Sequence, residues 1–159
     1  LFLKEAHQLE NVKMVIIDDA SDDQTAAVVK RFISQTGQER IQLLQRQHPN
    51  AQTGKGNALN WAYHQLALQD GDPKRLICGV LDADAYMTEK SYRKVLQYFA
   101  DDEDLDLLQT RVGMLETNNW LQLMQDIEFT VINDWIQNTR NRLGNAAASG
   151  MGQCIIRRF

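Results

Sequence analysis

Two short apolar runs in this chain each end on carboxylates. Val12 to Ile17 (VKMVII) runs into Asp18 and Asp19, and Leu76 to Leu81 (LICGVL) runs into Asp82-Ala83-Asp84. Runs of this length, rich in β-branched residues, read as buried strands. Helical spacing follows each of them, and strand and helix go on alternating along the chain. That alternation predicts one α/β domain over residues 1–159, with a mainly parallel sheet flanked by helices. Ligands of such sheets lie beyond the carboxyl ends of the strands. Both acidic clusters are therefore expected on one ligand-facing rim.

The remaining elements follow from spacing and caps. Ser21 with Gln24 predicts a capping box. The helix it opens carries Ala26, Val29 and Ile33 on one face and ends near Gly37. Ile41 to Leu44 forms a second strand. The stretch HPNAQTGKGN is a loop, and the next helix carries Leu59, Ala62, Tyr63 and Leu66 before Asp70 to Pro73 breaks it. Thr88 caps a helix with the stripe Tyr92, Val95, Leu96 and Phe99. Leu105 to Val112 holds a fourth strand. Asn118 or Asn119 caps a long helix with Trp120, Met124, Ile127, Val131 and Trp135 along one side, expected to face the core. The small-residue loop from Asn145 to Gly152 precedes a last strand, Gln153 to Ile156.

Composition removes several function classes. A net charge of −4 argues against a general nucleic-acid surface. Cys78 and Cys154 lie far apart with no CxxC, which argues against a disulfide framework or zinc site and fits a reducing compartment. No apolar run is long enough to span a bilayer, and Leu1 to Asn11 has no signal-peptide pattern. The chain opens without a Met, as if inside a helix, and stops directly after an apolar stretch. It is expected to be part of something longer.

Asp82 and Asp84, at i and i+2 after a buried strand, suit a hard divalent cation. Mg²⁺ or Mn²⁺ takes oxygen ligands and shares them with substrate phosphates. The competing reading is a turn in which one Asp caps the backbone and the other is solvated. Asp18 and Asp19 could accept hydrogen bonds from a base or sugar, while Asp22 and Asp23 are better placed to serve the helix N-terminus. Lys55, between Gly54 and Gly56, opens a helix where free N–H groups and a positive charge suit a diphosphate. The Walker A spacing is missing, and a surface turn also accounts for GKG. Arg111 ends the fourth strand, and Arg157 and Arg158 follow the last. Each could meet phosphate or an acidic neighbour, or be solvated. His7, His48 and His64 form no ligand pattern, and Asp101 to Asp104 reads as a solvated turn.

Taken in order, VIIDDASDDQT, GKGNALNWA, VLDADAY, QTRV and SGMGQCIIRR resemble the nucleotide-sugar glycosyltransferases of family 2, which have the Rossmann-like GT-A fold. The likeness extends to the membrane-associated branch that includes cellulose, chitin and hyaluronan synthases. The resemblance implies that Asp19, with Asp18 beside it, binds the uracil of a UDP-sugar, and that Lys55 and Gly56 lie against the nucleotide. It implies that Asp82 and Asp84 hold Mn²⁺ or Mg²⁺ on the diphosphate, Asp84 more directly. Gln109 and Arg111 would lie near the reacting sugar, and Gly150, Gly152 and Cys154 would line the acceptor side. The activity implied is metal-dependent, inverting transfer to a carbohydrate or lipid-linked acceptor hydroxyl. The setting implied is polysaccharide synthesis at the cytoplasmic face of the cell membrane, with anchors outside this chain. The family's first strand and its acidic catalytic base fall outside residues 1–159, so the chain is expected to hold the donor half of a site.

Other readings compete. A nucleotidyltransferase also uses paired carboxylates and a metal, but wants a Gly- and Arg/Lys-rich first loop. A non-catalytic nucleotide-sugar-binding domain would keep the site without the base. A phosphoacceptor receiver domain would explain IIDDAS and leave DAD without a role.

Overall fold

The computed structural model describes residues 12–36, 40–67, 76–145 and 153–156. The chain falls into two compact units, Leu1–Gly71 and Asp72–Phe159. Both are built of alternating strand and helix, which is the expected α/β class.

In the first unit, β1 (Met14–Asp18) and β2 (Ile41–Gln45) pair in parallel, with Met14 opposite Ile41 and Asp18 opposite Gln45. Parallel neighbours need a crossover, and α1 (Thr25–Thr36) lies in it and packs on β2. Val29 is buried on α1, with Ala26 and Ile33 half-buried beside it. The Ser21–Gln24 capping box does not form. Ser21 N–H donates to Asp18 Oδ1 at 3.0 Å, and Asp23 Oδ1 accepts from Thr25 N–H at 2.8 Å instead. The serine is drawn into the turn after β1, which leaves the helix start to a carboxylate two residues ahead of it. α2 (Lys55–Ala67) packs against β1 and buries Ala58 and Ala62, with Leu59, Tyr63 and Leu66 half-buried alongside. The helix end near Gly37 and the break at Asp70 to Pro73 lie outside the described residues.

The second unit contains β3 (Ile77–Val80), α3 (Glu89–Asp101), β4 (Leu107–Gln109), α4 (Trp120–Thr130) and β5 (Gln153–Ile156). Its sheet order is β3-β5-β4, with β5 antiparallel to both neighbours. β3 and β4, joined through α3, therefore run in the same direction, and β5 enters between them. Helical alternation predicts the shared direction of β3 and β4. It says nothing about a strand that arrives later and fills the gap.

Thr88 caps α3 as predicted, its hydroxyl accepting from Ser91 N–H at 3.1 Å. Val95 and Phe99 form the buried core of this unit, packed by Ile77, Leu105 and Leu108. Tyr92 is half-buried and Leu96 is exposed. The acidic run from Asp101 to Asp104 is an exposed turn, in which Asp102 Oδ1 accepts from Asp104 N–H at 3.0 Å.

Asn119 caps α4. Its Oδ1 accepts from Gln122 N–H at 2.9 Å, and Gln122 Oε1 accepts from Asn118 N–H at 2.9 Å. α4 runs on through a π-helical turn, Val131–Ile136, into α5 (Gln137–Arg142). The stripe expected in the core is exposed: Trp120 is 74% and Trp135 72% accessible, and Met124, Ile127 and Val131 are also exposed. The contacts run along a polar face instead. Asp126 Oδ1 accepts from Met114 N–H at 2.9 Å, and Arg111 Nη2 donates to Thr130 Oγ1 at 3.2 Å. Arg111 Nε also lies 3.5 Å from Asp134 Oδ1. Residues 126, 130 and 134 share a face because four residues is about one turn. Apolar periodicity identifies a face; it does not say what covers that face. Among the described residues, no helix is long and apolar enough to cross a membrane.

Candidate functional site

β1 and β2 end side by side, so the residues that follow them meet. Arg46 N–H donates to Asp18 O at 2.9 Å and extends the ladder by one step. Asp18 is buried and its carboxylate is fully occupied by the fold. Oδ1 accepts from Ser21 N–H and Oδ2 accepts from Gln45 Nε2 at 3.0 Å. The Ser21 side-chain hydrogen bond holds this carboxyl below its ordinary value. Burial opposes it, and the Ser21 N–H, the Gln45 amide and the Lys30 charge assist.

Asp19 has a different environment. Its Oδ1 accepts from Arg46 Nη1 at 2.8 Å, with the aspartate side chain 30% accessible and the arginine 3%. Arg46 Nη2 donates to Asn50 O, to Thr53 Oγ1 at 3.2 Å and to Asn57 Oδ1 at 2.9 Å. The guanidinium carbon lies 5.9 Å from the centre of the Trp61 ring. Arg46 Nε is buried with no partner among the described residues. A buried cation needs a counter-charge and neutral acceptors, and this one has Asp19, two acceptors from the following loop and a third, Asn57, from the first turn of the helix that opens at Lys55.

Sequence reasoning passed over Arg46. The signal was present: IQLLQR puts a cation directly after an apolar strand, and parallel pairing sets that position beside the acid after β1. A second tie joins the same two turns, since Gln52 Nε2 donates to Ala20 O at 3.1 Å. Ala20 has φ +60° and Gln52 φ +58°, a region that residues other than glycine rarely enter.

Lys55 opens α2, and Gly56 and Asn57 occupy its first turn. Gly54, just before it, has φ +108° and could not readily be another residue. Lys55 and Gly56 are exposed at a helix start, where N–H groups point outward. An open cleft of about 340 Å³ lies alongside, lined by Gln45, Arg46, Gln47, His48, Asn50 and Trp61. His64 lies edge-on to Tyr63 at 5.7 Å.

In the second unit, Asp82-Ala83-Asp84 turns the chain just beyond β3. Ala85 N–H closes the turn on Asp82 O at 2.9 Å. Asp82 is half-buried. Asp84 is exposed, and its carboxylate has no hydrogen bond or ion pair among the described residues. Gln153 of β5 sits opposite both Val80 and Gln109. The acidic turn and Gln109 therefore leave the same end of one sheet. Gln109 Nε2 donates to Thr110 O at 3.0 Å. Arg111, two residues further on, has met an acidic neighbour, Asp134. Cys154 lies in β5 opposite Gly79 and Leu108. Gly150, Gly152, Arg157 and Arg158 lie outside the described residues.

Among the described residues, no three His, Cys, Asp or Glu side chains cluster as a metal site. An all-protein cage is not what Mg²⁺ or Mn²⁺ requires beside a diphosphate. One or two carboxylates suffice when water and phosphate oxygens complete the shell. The hard oxygen donors of Asp82 and Asp84 fit that chemistry.

The model of the family described as "Glycosyltransferase like family 2" matches residues 3–159. No match is found among curated proteins or among solved structures.

Proposed function

The chain belongs to glycosyltransferase like family 2, and on that premise we propose that it holds a UDP-sugar, with Mn²⁺ or Mg²⁺ at Asp82 and Asp84, for transfer of the sugar to an acceptor hydroxyl. Membership carries glycosyl transfer in general, from a nucleotide-sugar donor to an acceptor. The donor base, the metal and the acceptor class are the proposal. The observation that carries it is Asp84, an exposed carboxylate at the carboxyl end of a strand that the fold itself leaves unused.

Each residue set has a task. Asp19 accepts a hydrogen bond from the uracil imide, and Asp18 keeps the turn that presents it. Lys55 and the N–H groups at the start of α2, with Gly56 bare of a side chain, favour the nucleotide's negative charge. Asp84, with Asp82 behind it, holds the cation. A cation bound there supplies charge stabilisation for the departing diphosphate. Gln109 is near the sugar, and Gly150, Gly152 and Cys154 serve the acceptor side. Inversion, polysaccharide synthesis and placement at the cytoplasmic face of a membrane through segments outside residues 1–159 belong to the same proposal. They rest on what the family resemblance of the five sequence motifs implies.

A nucleotide panel tests it. UDP, GDP, ADP, CDP and UTP are titrated into the chain with Mn²⁺, and UDP is expected to bind tightest. Equal binding of all the diphosphates contradicts the donor assignment. Tighter UTP binding, with pyrophosphate released from UTP and a sugar 1-phosphate, marks a nucleotidyltransferase instead.

A further inference from the structure

Arg46 is more elaborate than stability requires. A well-packed apolar side chain at a buried position often serves the fold as well as a buried ion pair. Here the guanidinium spans two loops. One group of contacts goes to Asp19 after β1, and the other goes to Asn50, Thr53 and Asn57 after β2 and at the start of α2. It takes one oxygen of Asp19. The other oxygen has no hydrogen bond among the described residues, and the side chain stays 30% accessible. The same two loops are tied again by Gln52 to Ala20, both with positive φ. Backbone held in such conformations is over-determined by its surroundings and concentrates where geometry matters.

We propose that Arg46 is the positioning residue for the donor's base: it orients the Asp19 carboxylate so that its remaining oxygen meets a uracil N–H, and it locks the first turn of α2 to the same frame. This rests on the reading of Asp19 as the base-binding carboxylate. Arg46 itself touches no donor atom. It acts by removing the rotational freedom of a surface aspartate, so that less ordering is left to binding.

The test is nucleobase selectivity, which a general loss of packing does not change. UDP and ADP are titrated with Mn²⁺ into the wild-type chain, Arg46→Lys, Asp19→Asn and the double variant. Arg46→Lys keeps the charge and loses the fork. The expectation is that Arg46→Lys and Asp19→Asn each weaken UDP by about tenfold or more, with ADP changed by less than about twofold. In the Asp19→Asn background, Arg46→Lys adds no more than about twofold, because residues acting as one unit are not additive. An Arg46→Lys chain that keeps wild-type selectivity overturns the proposal, as do losses in the double variant that multiply. In either case wild-type UDP preference leaves the donor assignment standing. A wild type that binds neither nucleotide overturns both. If Arg46→Lys lacks the wild-type circular dichroism spectrum, Asn57→Ala takes its place, since it removes an acceptor of Arg46 and no charge. The same selective loss at smaller size is expected, and unchanged selectivity there overturns the proposal.

Discussion

Arg46 Nη1 lies 2.8 Å from Asp19 Oδ1, across the ends of two parallel strands, with the arginine side chain almost wholly buried and the aspartate partly open. Removing one member of a buried pair leaves the other uncompensated. Asp19→Ala should therefore lower stability by about 3 kcal/mol, because the Arg46 charge keeps only neutral partners. Arg46→Ala should cost a similar amount, with a cavity beside Trp61 added to the lost pairing. Urea unfolding of both single variants and the double should show the double costing less than the sum.

Ala20→Gly is expected to raise stability by about 0.5–1 kcal/mol, since φ +60° strains any residue with a Cβ and suits glycine. The gain is partly offset by the greater freedom of glycine in the unfolded chain. A shift of the urea midpoint to higher concentration, at unchanged slope, checks this.

Asp18 gives the chain a defined acid sensitivity. Its folded value is depressed below the ordinary 3.8, chiefly by the Ser21 side chain. A depressed carboxyl contributes stability that is fully present above the unfolded value and is lost as pH falls through the folded one. The stability advantage of wild type over Asp18→Asn should therefore be constant near neutrality and shrink below about pH 4. Unfolding midpoints of the two chains across that range measure it.

Gly54 and Gly56 should separate fold from function. Gly54→Ala meets no steric neighbour but carries φ +108°, and should cost about 1–2 kcal/mol. Gly56 has open space around it and lies in the first turn of α2, so Gly56→Ala should leave stability unchanged or raise it by up to about 1 kcal/mol. If the nucleotide approaches this backbone, Gly56→Ala should nevertheless weaken UDP binding. Thermal unfolding and calorimetry on the same two variants read both effects.

The strands and most caps were legible because they rest on local chemistry. VKMVII and LICGVL are short apolar runs that read as strands, and Thr88 and Asn119 each sit one residue ahead of the helix they cap. Ser21 misled for the same reason. Its spacing to Gln24 is that of a capping box, yet the buried Asp18 carboxylate competes for its N–H and hydroxyl. Arg46 carries a local signal, a cation directly after an apolar strand, but its partner depends on the register of β1 against β2, which brings together residues 27 positions apart. The exposed Trp120 to Trp135 stripe shows the converse limit. Its periodicity is plain, but Asp126, Thr130 and Asp134 make the contacts with the segment after β4. The two carboxylates of the DAD turn were legible as residues. Their difference, with Asp82 half-buried and Asp84 open, needed the turn itself.

The most direct measurement is calorimetric titration of UDP into the chain, with and without Mn²⁺, beside the same titrations into Asp84→Asn. Binding is expected to depend on Mn²⁺ and to be abolished by Asp84→Asn, with the variant folded as the wild type by circular dichroism. UDP binding that ignores Mn²⁺, or that survives Asp84→Asn undiminished, would contradict the assignment of the metal and diphosphate to the DAD turn.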